Sequence, residues 1–184
     1  MRVIAGRFRG RPLATVGKGD PGAHLRPTPD RVRESLFSML THLAVIDGAQ
    51  VLDLFAGTGA LGIEALSRGA AHVTFVESGR IGQGLIRRNI AALDLGAETR
   101  LLGRDATRLP PCDNAACDLV FLDPPYGQDL GARALRAAAR ADWLAARALI
   151  VWEENAPMPP PDGFELLDRR KYGDTHVTLL RAPQ

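Results

Sequence analysis

Residues 51–62, Val51-Leu52-Asp53-Leu54-Phe55-Ala56-Gly57-Thr58-Gly59-Ala60-Leu61-Gly62, limit the fold of this chain more than any other stretch. An apolar run too short for a helix gives way to a turn with two glycines, and a helical pattern over 60–67 follows. Glycine lets the backbone turn tightly and approach a ligand closely. A strand that feeds a helix through such a turn opens a parallel sheet, whose ligands collect at the carboxyl ends of its strands.

The same alternation continues downstream. Strands are predicted over 51–55, 72–76, 99–102, 119–122 and 149–152, with helices over 60–67, 81–93 and 130–141. Residues 164–170 and 176–181 form a closing pair around Tyr172-Gly173-Asp174. The order predicts an α/β fold with a mainly parallel sheet, helices on both faces and an antiparallel hairpin at the end. No repeat or second fold unit is visible. Ahead of the sheet, residues 1–28 are rich in Arg, Gly and Pro, and read as an arm. Its short extended pieces 2–5 and 11–14 pair across 6–10, a loop covers 17–22, and a helix runs over 29–43 with Thr28 as cap and Pro29 in the first turn. The expected division is a basic arm over 1–43, packed on a main unit over 44–184.

Charge separates these parts. Residues 1–40 hold eight basic side chains against Asp20, Asp30 and Glu34, so the arm region is strongly positive although the whole chain carries only +2. Such a segment suits a polyanion, because each neutralised phosphate releases condensed counterions. A solvated basic tail is the plainer reading. At 184 residues the chain can bury a large core without staples. Cys112 and Cys117 lie close together and read as reduced thiols. His24, His42, His72 and His176 are dispersed, so no metal site is expected. No apolar run approaches the roughly 18 residues of a membrane span, and the start lacks a signal peptide, so a cytoplasmic protein is expected.

The glycine turn by itself fits two cofactors. Gly57, Gly59 and Gly62 match a dinucleotide fingerprint, and Glu77 stands where a ribose-binding acid belongs. Asp53 argues against a pyrophosphate, which its carboxylate would repel. S-adenosylmethionine has no phosphate, and Asp53 can pair with its ammonium, while Phe55 and Ala56 border the same turn. Capping of local backbone is the other reading of Asp53, and a surface position that of Glu77. At the end of the third strand, Asp105 and the amide of Ala106 are placed to receive adenine, or Asp105 caps its loop.

Asp123-Pro124-Pro125-Tyr126 follows the strand 119–122 and therefore reaches the same sheet edge. Two successive prolines hold Asp123 and Pro124 extended. An exocyclic base amine is a poor nucleophile because its lone pair is delocalised into the ring. With one amino hydrogen on the Asp123 carboxylate and the other on the Pro124 carbonyl, the lone pair can face an electrophilic methyl group. Tyr126 supplies a stacking face for a base taken out of its helix. The chemistry does not separate guanine N2 from adenine N6.

These blocks resemble the RsmD-type methyltransferases, which modify guanine N2 in small-subunit ribosomal RNA. The likeness runs through Arg2-Val3-Ile4-Ala5-Gly6 with Arg9-Gly10-Arg11, through residues 25–37, the turn and helix over 53–70, and Asp123-Pro124-Pro125-Tyr126. It implies a Rossmann-like seven-stranded sheet, S-adenosylmethionine as cofactor, and guanine-966 of 16S ribosomal RNA as target, on an assembling 30S subunit. Gly79 and Gly103-Arg104 depart from the family pattern on the adenosine side. Arg7, Arg9 and Arg11 are the candidate phosphate contacts, joined by Arg26, Arg31 and Arg33. Residues 26–34 also suit the methionine carboxylate at a helix start, or a local ion pair among Asp30, Arg33 and Glu34. Glu153 and Glu154 read as a solvated edge, with a border of the base pocket as the alternative. Tyr172 either stacks on RNA or fills a half-buried turn.

The competing readings are an adenine-N6 methyltransferase, a nicotinamide-dependent oxidoreductase, and a non-catalytic assembly factor. The short chain leaves no obvious target-recognition domain, so DNA is not expected as a partner.

Overall fold

The computed structural model describes residues 1–17 and 28–184. In chain order its elements are α1 (Asp30–His42), β1 (Gln50–Leu54), α2 (Ala60–Ser67), β2 (His72–Val76), α3 (Arg80–Leu93), β3 (Thr99–Leu102), β4 (Cys117–Leu122), α4 (Leu130–Arg140), β5 (Leu144–Glu154), β6 (Glu165–Tyr172) and β7 (Thr175–Arg181), with a 3-10 turn at Gly96–Glu98. The strands form one seven-stranded sheet in the order β3-β2-β1-β4-β5-β7-β6. The first five strands run parallel, and β7 pairs antiparallel with both β5 and β6. This is the mainly parallel α/β sheet with a closing antiparallel hairpin that the pattern predicts, and the seven-stranded Rossmann-like arrangement that the family resemblance implies.

Both faces of the sheet are covered, which explains the near-continuous apolar runs of its central strands. Along β4, Leu119 and Phe121 join the core that also holds Leu36, Phe37, Ile63 and Ile86 from α1, α2 and α3. Val120 and Leu122 point the other way, into a second core with Leu135 and Ala138 of α4 and with Trp143 and Trp152. The contact between α4 and Trp152 is close. A Cβ on Gly131 would lie 2.4 Å from the indole ring, and Trp152 is fully buried with no room to yield. Gly131→Ala is therefore expected to destabilise the protein by about 1–3 kcal/mol through overpacking, although alanine is the better helix former. Equilibrium urea unfolding of the two proteins checks this.

Among the boundaries that differ from the sequence expectation, two have a plain physical reason. β5 begins at Leu144 rather than at residue 149. Ala145-Ala146-Arg147-Ala148 has little strand propensity, and it joins the strand as an irregular stretch held between partners, with Arg147 left-handed at φ 59° where the register shifts. Leu144 pairs with Cys117 across a register shift, while Arg147 N donates to Pro183 O and Ala182 N to Ala148 O. The second difference is the cap of α1. Pro29 occupies the cap position, and the Thr28 hydroxyl turns away to donate to Glu153 Oε2 at 3.3 Å.

The amino-terminal hairpin forms as a single bridge between Arg2 and Pro12, supported by Val3 N to Arg11 O and Leu13 N to Met1 O. It is anchored on α2. Glu64 is fully buried, and its carboxylate accepts the amides of Ile4 at 2.8 Å and Ala5 at 3.0 Å. At the end of the same helix, Ser67 O accepts Arg7 N and Ser67 Oγ accepts Phe8 N. Gly6 makes this approach possible, since it has φ +79° and an added Cβ would lie 1.7 Å from Ser67 O. The loop 17–22 falls largely, and Arg26 wholly, outside the described residues.

Candidate active site

Strand register assembles the site. Leu54 pairs with Val76 and Leu122, and Leu122 with Trp152. The residues one step further on, Phe55, Glu77, Asp123 and Glu153, therefore form a row along the carboxyl edge. A cavity of about 800 Å³ lies over it, lined by Asp53, Phe55, Ala56, Gly57, Glu77, Asp123, Pro124, Pro125, Tyr126 and Glu153 among others. Thr28 and Pro29 also line it, as do Asp174 and Thr175 from the turn between β6 and β7. A second cavity, of about 530 Å³, lies around Asp118, Arg147 and Leu179, and contains none of these residues.

The glycine turn is bound to its own carboxylates. Phe55 has φ 60° and Gly57 φ 56°, so a bulky residue is held left-handed at the strand end, a strained conformation typical of functional sites. Glu77 Oε2 accepts Gly57 N at 2.9 Å and Oε1 accepts Gly79 N at 2.7 Å. Asp53 Oδ2 accepts Gly62 N at 3.0 Å in the first turn of α2. Two amides of the turn and helix start, Gly57 N and Gly62 N, are thus already taken by carboxylates, which a pyrophosphate would also face. Such a turn suits a cationic ligand without phosphate, and it disfavours the nicotinamide reading. It fits S-adenosylmethionine, whose ammonium and sulfonium are positive. The glycine at 79 also has a reason, since a Cβ there would sit 3.0 Å from Glu77 Oε1.

The site concentrates buried carboxylates. Asp53 is held well above the ordinary carboxylate range, first by burial and then by the charges of Asp123 and Glu77, with Gly62 N acting the other way. Asp123 is raised by burial and by Glu153 and Glu154. Glu153 is 2% exposed and is pushed up to about 7, by burial first and then by Asp53, against the hydrogen bond from Thr28. Tyr126 stands 45% exposed beside them.

These shifts make stability depend on pH. Glu153 ionises near 4.5 when unfolded and near 7 when folded, so the folded state binds the extra proton between those values and loses that stability as pH rises through about 7. Lowering the pH from about 8 to 6.5 should raise the melting temperature, and Glu153→Gln should show a smaller rise. Below 6.5, the depressed pKa of His72 acts in the opposite direction. Differential scanning calorimetry across this range tests the sign.

Several predicted residues lie elsewhere. Asp105 and Ala106 do not line the cavity. Asp105 Oδ1 accepts both the amide and the hydroxyl of Thr107 at 2.8 Å, which is its loop-capping reading. Arg33 does not face RNA. It is fully buried, donates to Asp30 Oδ1 at 2.6 Å and to Arg2 O at 2.7 Å, and lies 3.8 Å from Glu64. Arg7, Arg9, Arg11 and Arg31 are exposed. Arg7 pairs with Glu98 and stacks on Phe8, and Arg11 donates to Ala92 O at 3.0 Å.

Glu153 and Glu154 are not the solvated edge that the sequence suggested, and Glu153 takes the alternative position at the border of the pocket. Both are buried, and Glu153 lines the cavity. The rule used for Asp53, Glu77 and Asp123, an acid at the carboxyl end of a parallel strand, would have found Glu153 as well. No group of three or more His, Cys, Asp or Glu side chains able to hold a metal occurs among the described residues, and none of their helices is long and apolar enough to cross a membrane.

The sheet order and the cavity over its carboxyl edge define a methyltransferase of the Rossmann-like, S-adenosylmethionine-dependent class. Residues 1–181 match the family model described as conserved hypothetical protein 95. Ribosomal RNA small subunit methyltransferase D of Escherichia coli (strain K12) is 41% identical over 184 residues, covering 98% of this chain and 89% of that protein. The protein of the same name from Haemophilus influenzae is 35% identical over 186 residues, covering 98% and 93%. Among solved structures, the Escherichia coli protein yhhF superposes with a TM-score of 0.83 at 35% identity, covering 100% of this chain and 99% of that one. The chain belongs to the RsmD-type methyltransferase family.

Proposed function

We propose that this protein methylates the exocyclic N2 of a guanine in 16S ribosomal RNA, guanine-966 by family resemblance, on an assembling 30S subunit in the cytoplasm. The observation that carries the reading is the position of Asp123-Pro124-Pro125-Tyr126 in the wall of the cavity that also holds the glycine turn. The names of the relatives, ribosomal RNA small subunit methyltransferase D, support the RNA substrate.

S-adenosylmethionine, when bound, supplies an electrophilic methyl group on a sulfonium. Asp53 and Glu77 are the residues proposed to hold it, Asp53 facing its ammonium and Glu77 its ribose hydroxyls, beside Phe55, Ala56, Gly57 and Gly59. Asp123 and the Pro124 carbonyl accept the two hydrogens of the target amine, which draws its nitrogen towards tetrahedral geometry and exposes its lone pair. Tyr126 stacks on the flipped base. Once the nitrogen carries the methyl group it must shed a proton, and Asp123, with its proton affinity raised by burial, is placed to receive it. Pro125 stiffens the segment. Residues 1–43 act as the RNA-facing arm of the methyltransferase unit 44–184. Arg7, Arg9, Arg11 and Arg31 offer phosphate contacts.

Nucleoside analysis decides the target. Immature small subunits, deproteinised 16S RNA and naked DNA are each incubated with labelled S-adenosylmethionine, then digested and separated. N2-methylguanosine from RNA is expected. N6-methyladenosine as sole product would sink the guanine reading.

A further inference from the structure

Glu153 follows Trp152 at the end of β5, in the row of residues that includes Asp123. Its side chain is buried, and Oε2 accepts the Thr28 hydroxyl. Oε1 is buried with no hydrogen-bond partner among the described residues. The other side-chain atoms in that condition belong to Arg33, Trp152 and Arg181, and none of these residues lines the cavity that holds Asp123. A buried acceptor without a donor costs about 1–3 kcal/mol. Placed in the wall of a binding cavity, it awaits a donor from the ligand.

The target base can provide that donor. Guanine carries N1–H directly beside its N2 amine, so a base whose amine rests on Asp123 presents N1–H to the next acceptor along the same edge. Neighbouring strands run about 4.8 Å apart, which puts the acceptors that follow β4 and β5 within reach of one purine edge. Adenine differs at this atom, because its N1 is a lone pair that a carboxylate repels.

We propose that Glu153 is a specificity-determining residue that selects guanine, its carboxylate accepting N1–H while Asp123 and Pro124 accept the hydrogens of N2. This rests on the guanine reading above and adds a means of discrimination to it. Rejection of adenine then comes from a repulsive contact as well as a lost attractive one. Proton uptake by Glu153 would weaken the selection, because the neutral acid can donate to a bare N1. The titratable groups facing it are Asp53 from β1, Asp123 after β4 and the Tyr126 phenol, with Glu154 beside it on β5. None of them is a cation, so selectivity for guanine rises with pH through about 7.

The test uses 2-aminopurine, which keeps the 2-amino group but has no hydrogen on N1. The full-length enzyme is given RNA substrate with either guanosine or 2-aminopurine riboside at the target, and kcat/KM is measured for both. Wild type is expected to prefer guanine by roughly 10–100-fold, the value of one hydrogen bond to a charged group. Glu153→Gln is expected to bring the two within about fivefold, since its amide can donate to a bare N1 as well as accept N1–H. Equal use of both bases by wild type overturns the proposal, as does an unchanged ratio in Glu153→Gln. The variant's melting temperature and S-adenosylmethionine affinity control for folding, and the wild-type ratio decides alone if the variant does not fold. A wild type that makes no N2-methylguanosine at all overturns the guanine reading and this proposal together.

Discussion

Asp123→Ala should lower kcat/KM for methyl transfer by about 10³-fold while leaving S-adenosylmethionine affinity within about threefold. The loss combines a preorganised acceptor worth roughly 10²–10³ in rate with poorer orientation of the amine. Asp123 follows β4, whereas the proposed ammonium and ribose contacts, Asp53 within β1 and Glu77 just after β2, come from other strands, so the cofactor side keeps its partners. The same substitution should raise the melting temperature above neutral pH. Asp123 is destabilised as an anion by burial and by Glu153 and Glu154, and deleting it relieves that repulsion. Higher stability with lost turnover separates a catalytic effect from unfolding. Radiolabelled methyl transfer, calorimetric titration with cofactor and thermal melting provide the three readouts. Retained turnover in the alanine variant would remove Asp123 from the chemistry.

Arg33→Met should cost about 3–5 kcal/mol of stability, because removing one member of a buried ion group leaves the other without full compensation. Glu64 is the partner at risk. It is fully buried, accepts Arg68 Nε at 2.8 Å and the amides of Ile4 and Ala5, and has Arg33 at 3.8 Å. Arg33 also reaches Arg2 O, so one guanidinium joins α1, α2 and the hairpin. The expected signature is a lower urea midpoint with early loss of protection at the Ile4 and Ala5 amides in hydrogen exchange. Arg9→Ala, at an exposed position, should leave the midpoint within about 0.5 kcal/mol. A stable Arg33→Met protein with weakened RNA binding would reverse the assignment and return Arg33 to the RNA surface.

The contrast between Arg33 and Asp123 shows what could be read along the chain. Asp123 sits at the end of an apolar strand, and local pattern puts such a residue at the carboxyl edge of a parallel sheet whatever the rest of the protein does. The strands 72–76 and 99–102 and the helix 60–67 were legible to the residue for the same reason, since each is a run of uniform period bounded by turn residues. Arg33 lies in a basic stretch, and its neighbours Arg31 and Glu34 are exposed. Its burial depends on Glu64, 31 positions away, and on the hairpin that Glu64 anchors. No local pattern contains that information.

The glycine turn marked the fold from the outset, and by itself admitted two cofactors. Sequence alone determined the α/β order, the edge where ligands bind, and the acids Asp53, Glu77 and Asp123 along it, because strand and helix periodicity and turn chemistry are short-range properties. The tertiary structure decided which charged groups lose their water. It closed the turn amides onto Asp53 and Glu77, buried Arg33 against Glu64, turned Asp105 onto Thr107, and drew Glu153 into the cavity under Thr28. Desolvation and ion pairing depend on neighbours distant in sequence, so only the folded chain could settle them.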